Sequence, residues 1–183
     1  NVSFHHNLFA HNNSRNPRFD HPRLYSENDL LYYRGTVDFV NNVVYNWGMK
    51  AIYGGEEGWF NVISNSFRPG PATRNRDGEW LDISISETTS MVKGKFYIDG
   101  NEYDGAVVKD ERSESERFVT SVPLKELSAR ESYKEVLKHV GASHRRDAID
   151  RRIISEARKG TATYKGSITG LPGIIDSEND VLK

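Results

Sequence analysis

Aligning the asparagines at positions 7, 42, 65 and 101 brings apolar residues of this chain into a fixed pattern. Five positions before each asparagine stand Val2, Val37, Phe60 and Phe96. Three before stand Phe4, Phe39, Val62 and Ile98, and two after stand Phe9, Val44, Phe67 and Tyr103. The two upstream positions lie two residues apart, the spacing of a strand with one face inward. The downstream position falls just beyond a bend at the asparagine. Strand, bend and strand, repeated with loops of unequal length between copies, predict a solenoid whose turns stack on one another. Asparagine suits the bend because its amide both donates and accepts, and because it tolerates left-handed backbone. Stacked turns would set these amides about 4.8 Å apart, close enough for each to bond the next. The predicted class is all-β, with an asparagine ladder.

Between the copies the pattern loosens. Residues 10–35 are long for a connection and mix His, Asn, Arg and Tyr with few aliphatic side chains, and long loops on rigid scaffolds are where function concentrates. Gly54 and Gly55 predict a turn before the third strand. Pro69, Gly70 and Pro71 force an irregular excursion. Residues 81–86 alternate as LDISIS and predict a further strand with Leu81, Ile83 and Ile85 on one face. The stretch KDERSESER predicts a solvated charged loop.

From Ser128 the period becomes helical. Ser128 with Glu131 forms a capping box, Tyr133, Val136, Leu137 and Val140 form a stripe, and Gly141 ends the helix. A second helix is expected over residues 145–159, with Ala148, Ile149, Ile153 and Ala157 on its buried side and its arginines and acids on the wet face. The tail from Thr161 reads as irregular. This divides the chain into coils over residues 1–122 and a helical extension over residues 123–183.

Composition narrows the picture without deciding it. The 183 residues carry 25 Lys plus Arg against 26 Asp plus Glu and no cysteine, so nothing points to nucleic acid or a membrane surface. Disulfides and thiolate metal sites are ruled out, and no run is long and apolar enough for a spanning helix. Candidate chemistry sits in one loop, where Arg15, Pro17 and Arg18 occur in a pattern that the other copies do not repeat.

Four stretches, VSFHHNLFAHNNSRNPRF, VDFVNNVVYNWG, RPGPAT and GASHRRDAIDRRI, together resemble pectate lyases of the right-handed parallel β-helix type. The resemblance implies that fold and its asparagine ladder, and places Asn1 inside a longer enzyme whose upstream coils would cover the first strand, unless another chain does. It implies β-elimination on the acidic polysaccharide polygalacturonate, in a secreted or periplasmic protein. In the family's R-x-P-R motif the first arginine is the base, here Arg15, and Arg18 is the substrate-binding partner. Many relatives carry another arginine five residues after the base. This chain has Asp20 there, so Arg23 is expected to bind substrate in its place, with Arg34 as the alternative. Calcium is the implied cofactor, with ligands upstream of this chain, and no metal ligand is assigned within it. A fragment of this extent is expected to be inactive alone.

The chemistry explains the demand for cations. A proton beside a carboxylate is poorly acidic until that carboxylate is neutralised, and an arginine base needs neighbouring cations or alkaline conditions, because the side chain is normally protonated. Pro17 stiffens the loop and predicts guanidiniums with two separate directions. Other candidates are weaker. His5 and His6 are expected on opposite faces of a strand in structural roles. Asp77, Glu79 and Asp82 do not complete a calcium pattern. Trp47, Tyr53 and Trp59 are either sugar-stacking or buried. A noncatalytic carbohydrate-binding β-helix is the second functional reading, with Asp20 in its favour.

Overall fold

The structure, a computed structural model, describes residues 1–19, 35–55, 58–74, 80–82, 94–120 and 123–182. Three strands recur in each coil. The first coil contributes β1 (Val2–His5), β2 (Leu8–Ala10) and β3 (Arg18–Phe19). The second contributes β4 (Thr36–Val40), β5 (Val43–Tyr45) and β6 (Ile52–Gly54), and the third β7 (Trp59–Ile63), β8 (Ser66–Arg68) and β9 (Leu81–Asp82). The fourth contributes β10 (Lys95–Asp99) and β11 (Glu102–Tyr103), after which β12 (Ala106–Val107) turns back antiparallel and closes the second sheet. Equivalent strands stack in parallel, in the orders β1-β4-β7-β10, β2-β5-β8-β11 and β3-β6-β9.

The register follows the apolar alignment residue for residue. Val2 faces Val37, which faces Phe60, which faces Phe96. Phe4, Phe39, Val62 and Ile98 form a second row, and Phe9, Val44, Phe67 and Tyr103 a third. A one-residue slip would turn every one of these side chains to the opposite face. All but the exposed Val2 and Phe4 of the first coil meet Phe19, Ile52 and Leu81 of the third sheet in one core. Phe60 lies with its centroid 4.8 Å from those of both Phe19 and Phe96, offset-ring distances that add to simple burial.

The amides bond in a row. Asn7 Nδ2 donates to Asn42 Oδ1 at 3.0 Å, Asn42 Nδ2 to Asn65 Oδ1 at 3.1 Å, and Asn65 Nδ2 to Asn101 Oδ1 at 2.9 Å. Each accepting oxygen also takes the backbone N–H of the asparagine one coil before it. The amide nitrogens of Asn42, Asn65 and Asn101 reach back to the carbonyls of Phe4, Phe39 and Val62. The left-handed residue of the bend, however, is the one preceding the asparagine: His6, Asn41, Ser64 and Gly100 have φ of 56°, 57°, 54° and 62°. None is β-branched, as that conformation requires.

Helix α1 (Ala129–His139) is capped by the Ser128–Glu131 box. Its Leu137, with Ile154 and Ala157 of α2 (Ala148–Lys159), packs on Tyr45 of the second sheet, and the Arg68 guanidinium lies 4.5 Å from the Tyr133 ring centre. The second helix begins later than its pattern suggests because Asp147 caps it, accepting from the Asp150 N–H at 2.9 Å. Its buried face is also rotated: Ile149 is exposed, whereas Ile154, Glu156 and Ala157 are buried. The charged stretch KDERSESER is a largely exposed loop, as expected, and it and the residues after it are tied to the coils at a few points. Ser113 bridges to Phe96, Phe118 exchanges two hydrogen bonds with the Asn61 amide, and the Asn41 amide holds the Lys125 carbonyl and the Leu127 N–H. Of the LDISIS strand only Leu81–Asp82 lies within the described residues.

Candidate functional site

The Arg15 loop is assembled by the coil above it. After β2 the chain turns at His11, whose φ is 61° and whose N–H donates to the Tyr45 carbonyl at 3.1 Å. The Asn13 carbonyl then accepts from the N–H groups of Gly48 and Met49. Ser14 bridges in parallel to Lys50, and the Lys50 carbonyl accepts both the Arg15 N–H at 3.2 Å and Asn16 Nδ2 at 3.3 Å. The Asn16 N–H reaches the Ala51 carbonyl at 2.6 Å. Buried Asn16 and Phe19 therefore pin both ends of Arg15-Asn16-Pro17-Arg18. Immediately before the Asn16 pin, Arg15 is exposed and left-handed, with φ of 64°. A long side chain held in that conformation is uncommon and concentrates at functional positions.

Arg18 opens β3 in register with Tyr53 of β6. The Arg15 guanidinium carbon lies 5.2 Å from the Tyr53 ring centre and that of Arg18 lies 5.3 Å from it, both within cation–π range. The two guanidiniums thus converge on one ring rather than taking separate directions. The left-handed turn at Arg15 and the strand register of Arg18 bring them there despite the rigidity of Pro17. Tyr53, a candidate only for sugar stacking or burial by sequence, instead lies against both arginines. One signal was available: Tyr53 follows Arg18 by the same 35 residues that separate Asn7 from Asn42.

The remaining candidates fall elsewhere. Arg23, Arg34, Asp20, Asp77 and Glu79 lie outside the described residues. Asp82 holds the register position next to Tyr53 on β9. Trp47 is fully buried, edge-to-face with Tyr103, and half-exposed Trp59 stacks on Phe118. Among the described residues no three acidic or histidine side chains converge as a metal site would need. His5 and His6 do not point to opposite faces, because the left-handed bend at His6 swings its Nδ1 to 3.0 Å from that of His5. Burial, and after it the neighbouring His5, hold the His6 imidazole below its ordinary pKa, against the pull of Glu135. A cavity of about 460 Å³ beside it is lined by Lys125, Glu135 and His139.

A second polar cluster lies at the same turn as His11. Asn46 Oδ1 accepts the Ala72 N–H at 2.7 Å, while its Nδ2 donates to the Pro172 carbonyl at 2.9 Å and faces His11 Nδ1 at 2.8 Å. With the amide oriented by Ala72 and Pro172, His11 Nδ1 must be the acceptor, which places the imidazole proton on Nε2. That nitrogen stands 2.8 Å from Glu156 Oε2, off the line of its N–H bond. Burial lowers the His11 pKa, outweighing the raising effect of Glu156. Burial pushes Glu156 upward, but hydrogen bonds from Thr163 together with His11 and Arg152 bring it below the usual range.

No family model matches the chain. A probable pectate lyase C of Aspergillus terreus is 28% identical over 194 residues, covering 96% of this chain and 42% of the relative. Proteins of the same name from Neosartorya fischeri and Aspergillus flavus are 27% and 29% identical, covering 96% and 85% of the chain. The chain thus spans less than half the length of these relatives. Among solved structures, a pectate lyase from Bacillus sp. N165 in complex with trigalacturonate shares the fold, with a TM-score of 0.51 over 77% of this chain and 40% of its own, at 17% identity.

Proposed function

We propose that this chain, a relative of the pectate lyases, carries the catalytic arginine loop of an enzyme that cleaves polygalacturonate by β-elimination. The observation that carries the reading is the convergence of Arg15 and Arg18 at one strand end, in a loop whose backbone is fixed by the next coil. Arg15 is assigned as the base. It takes the proton from the carbon beside the uronate carboxylate, and the freed electron pair forms a carbon–carbon double bond. The glycosidic oxygen leaves with its bonding pair and is then protonated, so no water is consumed. Arg18 binds the substrate carboxylate and supplies the neighbouring cation that a base role for Arg15 requires. Arg23 is assigned a second substrate contact.

In this proposal the stack is a right-handed parallel β-helix, the hand that parallel crossovers favour, and the amide row is its asparagine ladder. Residues 1–122 form the coils and residues 123–183 the extension, in a secreted or periplasmic protein. Calcium belongs to the proposal as a counter-charge to substrate carboxylates. Its ligands are assigned upstream of this chain, and no step above depends on them. The test is absorbance of unsaturated uronates when the intact protein meets polygalacturonate and calcium. A rise supports the lyase. Polymer binding with no rise favours a noncatalytic carbohydrate-binding β-helix, the reading that Asp20 supports.

A further inference from the structure

Resting on the lyase reading, we infer that Tyr53 is the positioning residue for both arginines, its ring holding the Arg15 and Arg18 guanidiniums in the orientation that proton abstraction needs. Arg15 is exposed, and among the described residues its guanidinium has no ion pair and no hydrogen bond, so the ring 5.2 Å away is what restrains it. An unrestrained arginine must surrender its rotamer freedom at each turnover. A planar cation laid against an aromatic face keeps only orientations near that face. The ring is itself well anchored. The Tyr53 N–H donates to the Pro17 carbonyl at 3.3 Å, and β6 is paired on both sides, with Arg18 and Asp82 as the neighbours of Tyr53.

Two features make the role specific. The loop backbone is held by Lys50 and Ala51 without help from the Tyr53 side chain, so removing the ring releases the Arg15 guanidinium without dissolving the loop. The Tyr53 hydroxyl has no partner among the described residues, so the ring, rather than a hydrogen bond, is the working part. A face already occupied by guanidiniums is also a poor platform for a sugar, which separates positioning from substrate stacking.

The experiment compares Tyr53→Leu and Tyr53→Phe in the intact protein, by steady-state kinetics on polygalacturonate and by side-chain NMR of the arginines. Tyr53→Leu is expected to lower kcat about 10- to 100-fold with a smaller change in KM, the mark of lost alignment. Tyr53→Phe, which keeps the ring, should restore kcat to within about threefold of wild type. The Nε–H resonances of Arg15 and Arg18 should be displaced by the ring in wild type and Tyr53→Phe; in Tyr53→Leu both should lose that displacement, and that of Arg15 should move toward free arginine. Equal losses in the two variants, a rise in KM alone, or arginine resonances unmoved by Tyr53→Leu would overturn the assignment. Absence of lyase activity in wild type would sink the lyase reading instead, and the NMR comparison would still decide whether the ring holds the arginines.

Discussion

Two polar clusters share the same coils and are built on opposite rules. The amide row recurs in every coil, and Asn42, Asn65 and Asn101 are fully buried with their amides bonded on both sides. The arginine loop occurs once, reaches solvent, includes a left-handed Arg15, and sets its charges against an aromatic face. Repetition marks what holds the coils together, because each copy must satisfy the same backbone groups. An element that appears once and breaks local backbone preference is where chemistry is mounted. The two sets should therefore fail in different ways.

The largest effect expected is on turnover. Arg15→Lys keeps the charge but loses the planar fork and moves the accepting nitrogen, so kcat of the intact protein on polygalacturonate should fall about 10³-fold. Its thermal midpoint should match wild type. Near-normal kcat would remove Arg15 from the role of base and shift the search to Arg18 or Arg23.

Asn42→Leu should do the reverse. It leaves the Asn7 N–H and the Phe4 carbonyl without partners, a loss of about 2–4 kcal/mol, read by denaturant unfolding. Activity per folded molecule should be retained. A stability equal to wild type would mean that the amide row is not what holds the coils.

Arg18→Ala is expected to raise KM about tenfold with kcat little changed, because a carboxylate contact made in both ground and transition states is lost. A fall in kcat without a change in KM would exchange the roles of the two arginines.

The smallest effect concerns acid. His11 and Glu156 both have folded pKa values below their ordinary ones, so the unfolded chain binds more protons and stability falls as pH drops. For His11 the loss starts as pH falls through about 6.5, its ordinary value, and continues down to the lowered folded value; for Glu156 it starts near 4.5. Melting temperature should decline gently below neutrality. His6 shares the sign, and His6→Gln separates its part. A flat profile between pH 8 and pH 5 would show that the His11 cluster is not coupled to folding.

Most of the scaffold was legible in the order of residues, because strand period and core volume are written locally. The three apolar rows became the strand registers of two sheets, and Ser128 with Glu131 became a capping box. What escaped depends on distance. The buried face of α2 is set by Tyr45 and His11, more than a hundred positions earlier, so a helical wheel taken alone put Glu156 in water. Asn41 and Asn61 read as ordinary polar residues because the segment that they anchor, around Phe118 and Lys125, lies far along the chain. The arginine pair was legible as a motif. That one tyrosine lies against both could be read only through the coil period.

Asn46 has a consequence for the order in which the chain can assemble. Its amide ties together His11, Ala72 and Pro172, at sequence separations of 35, 26 and 126 residues. Closing the two shorter loops costs less chain entropy than closing the longest, and contacts between remote segments form slowly. Ala72 and His11 will orient the amide first, leaving its Nδ2 aimed outward for the Pro172 carbonyl. Docking of the tail is then a late step that reports on a stack already formed. Protease resistance of residues 161–182, followed during refolding, should lag behind the burial of Trp47.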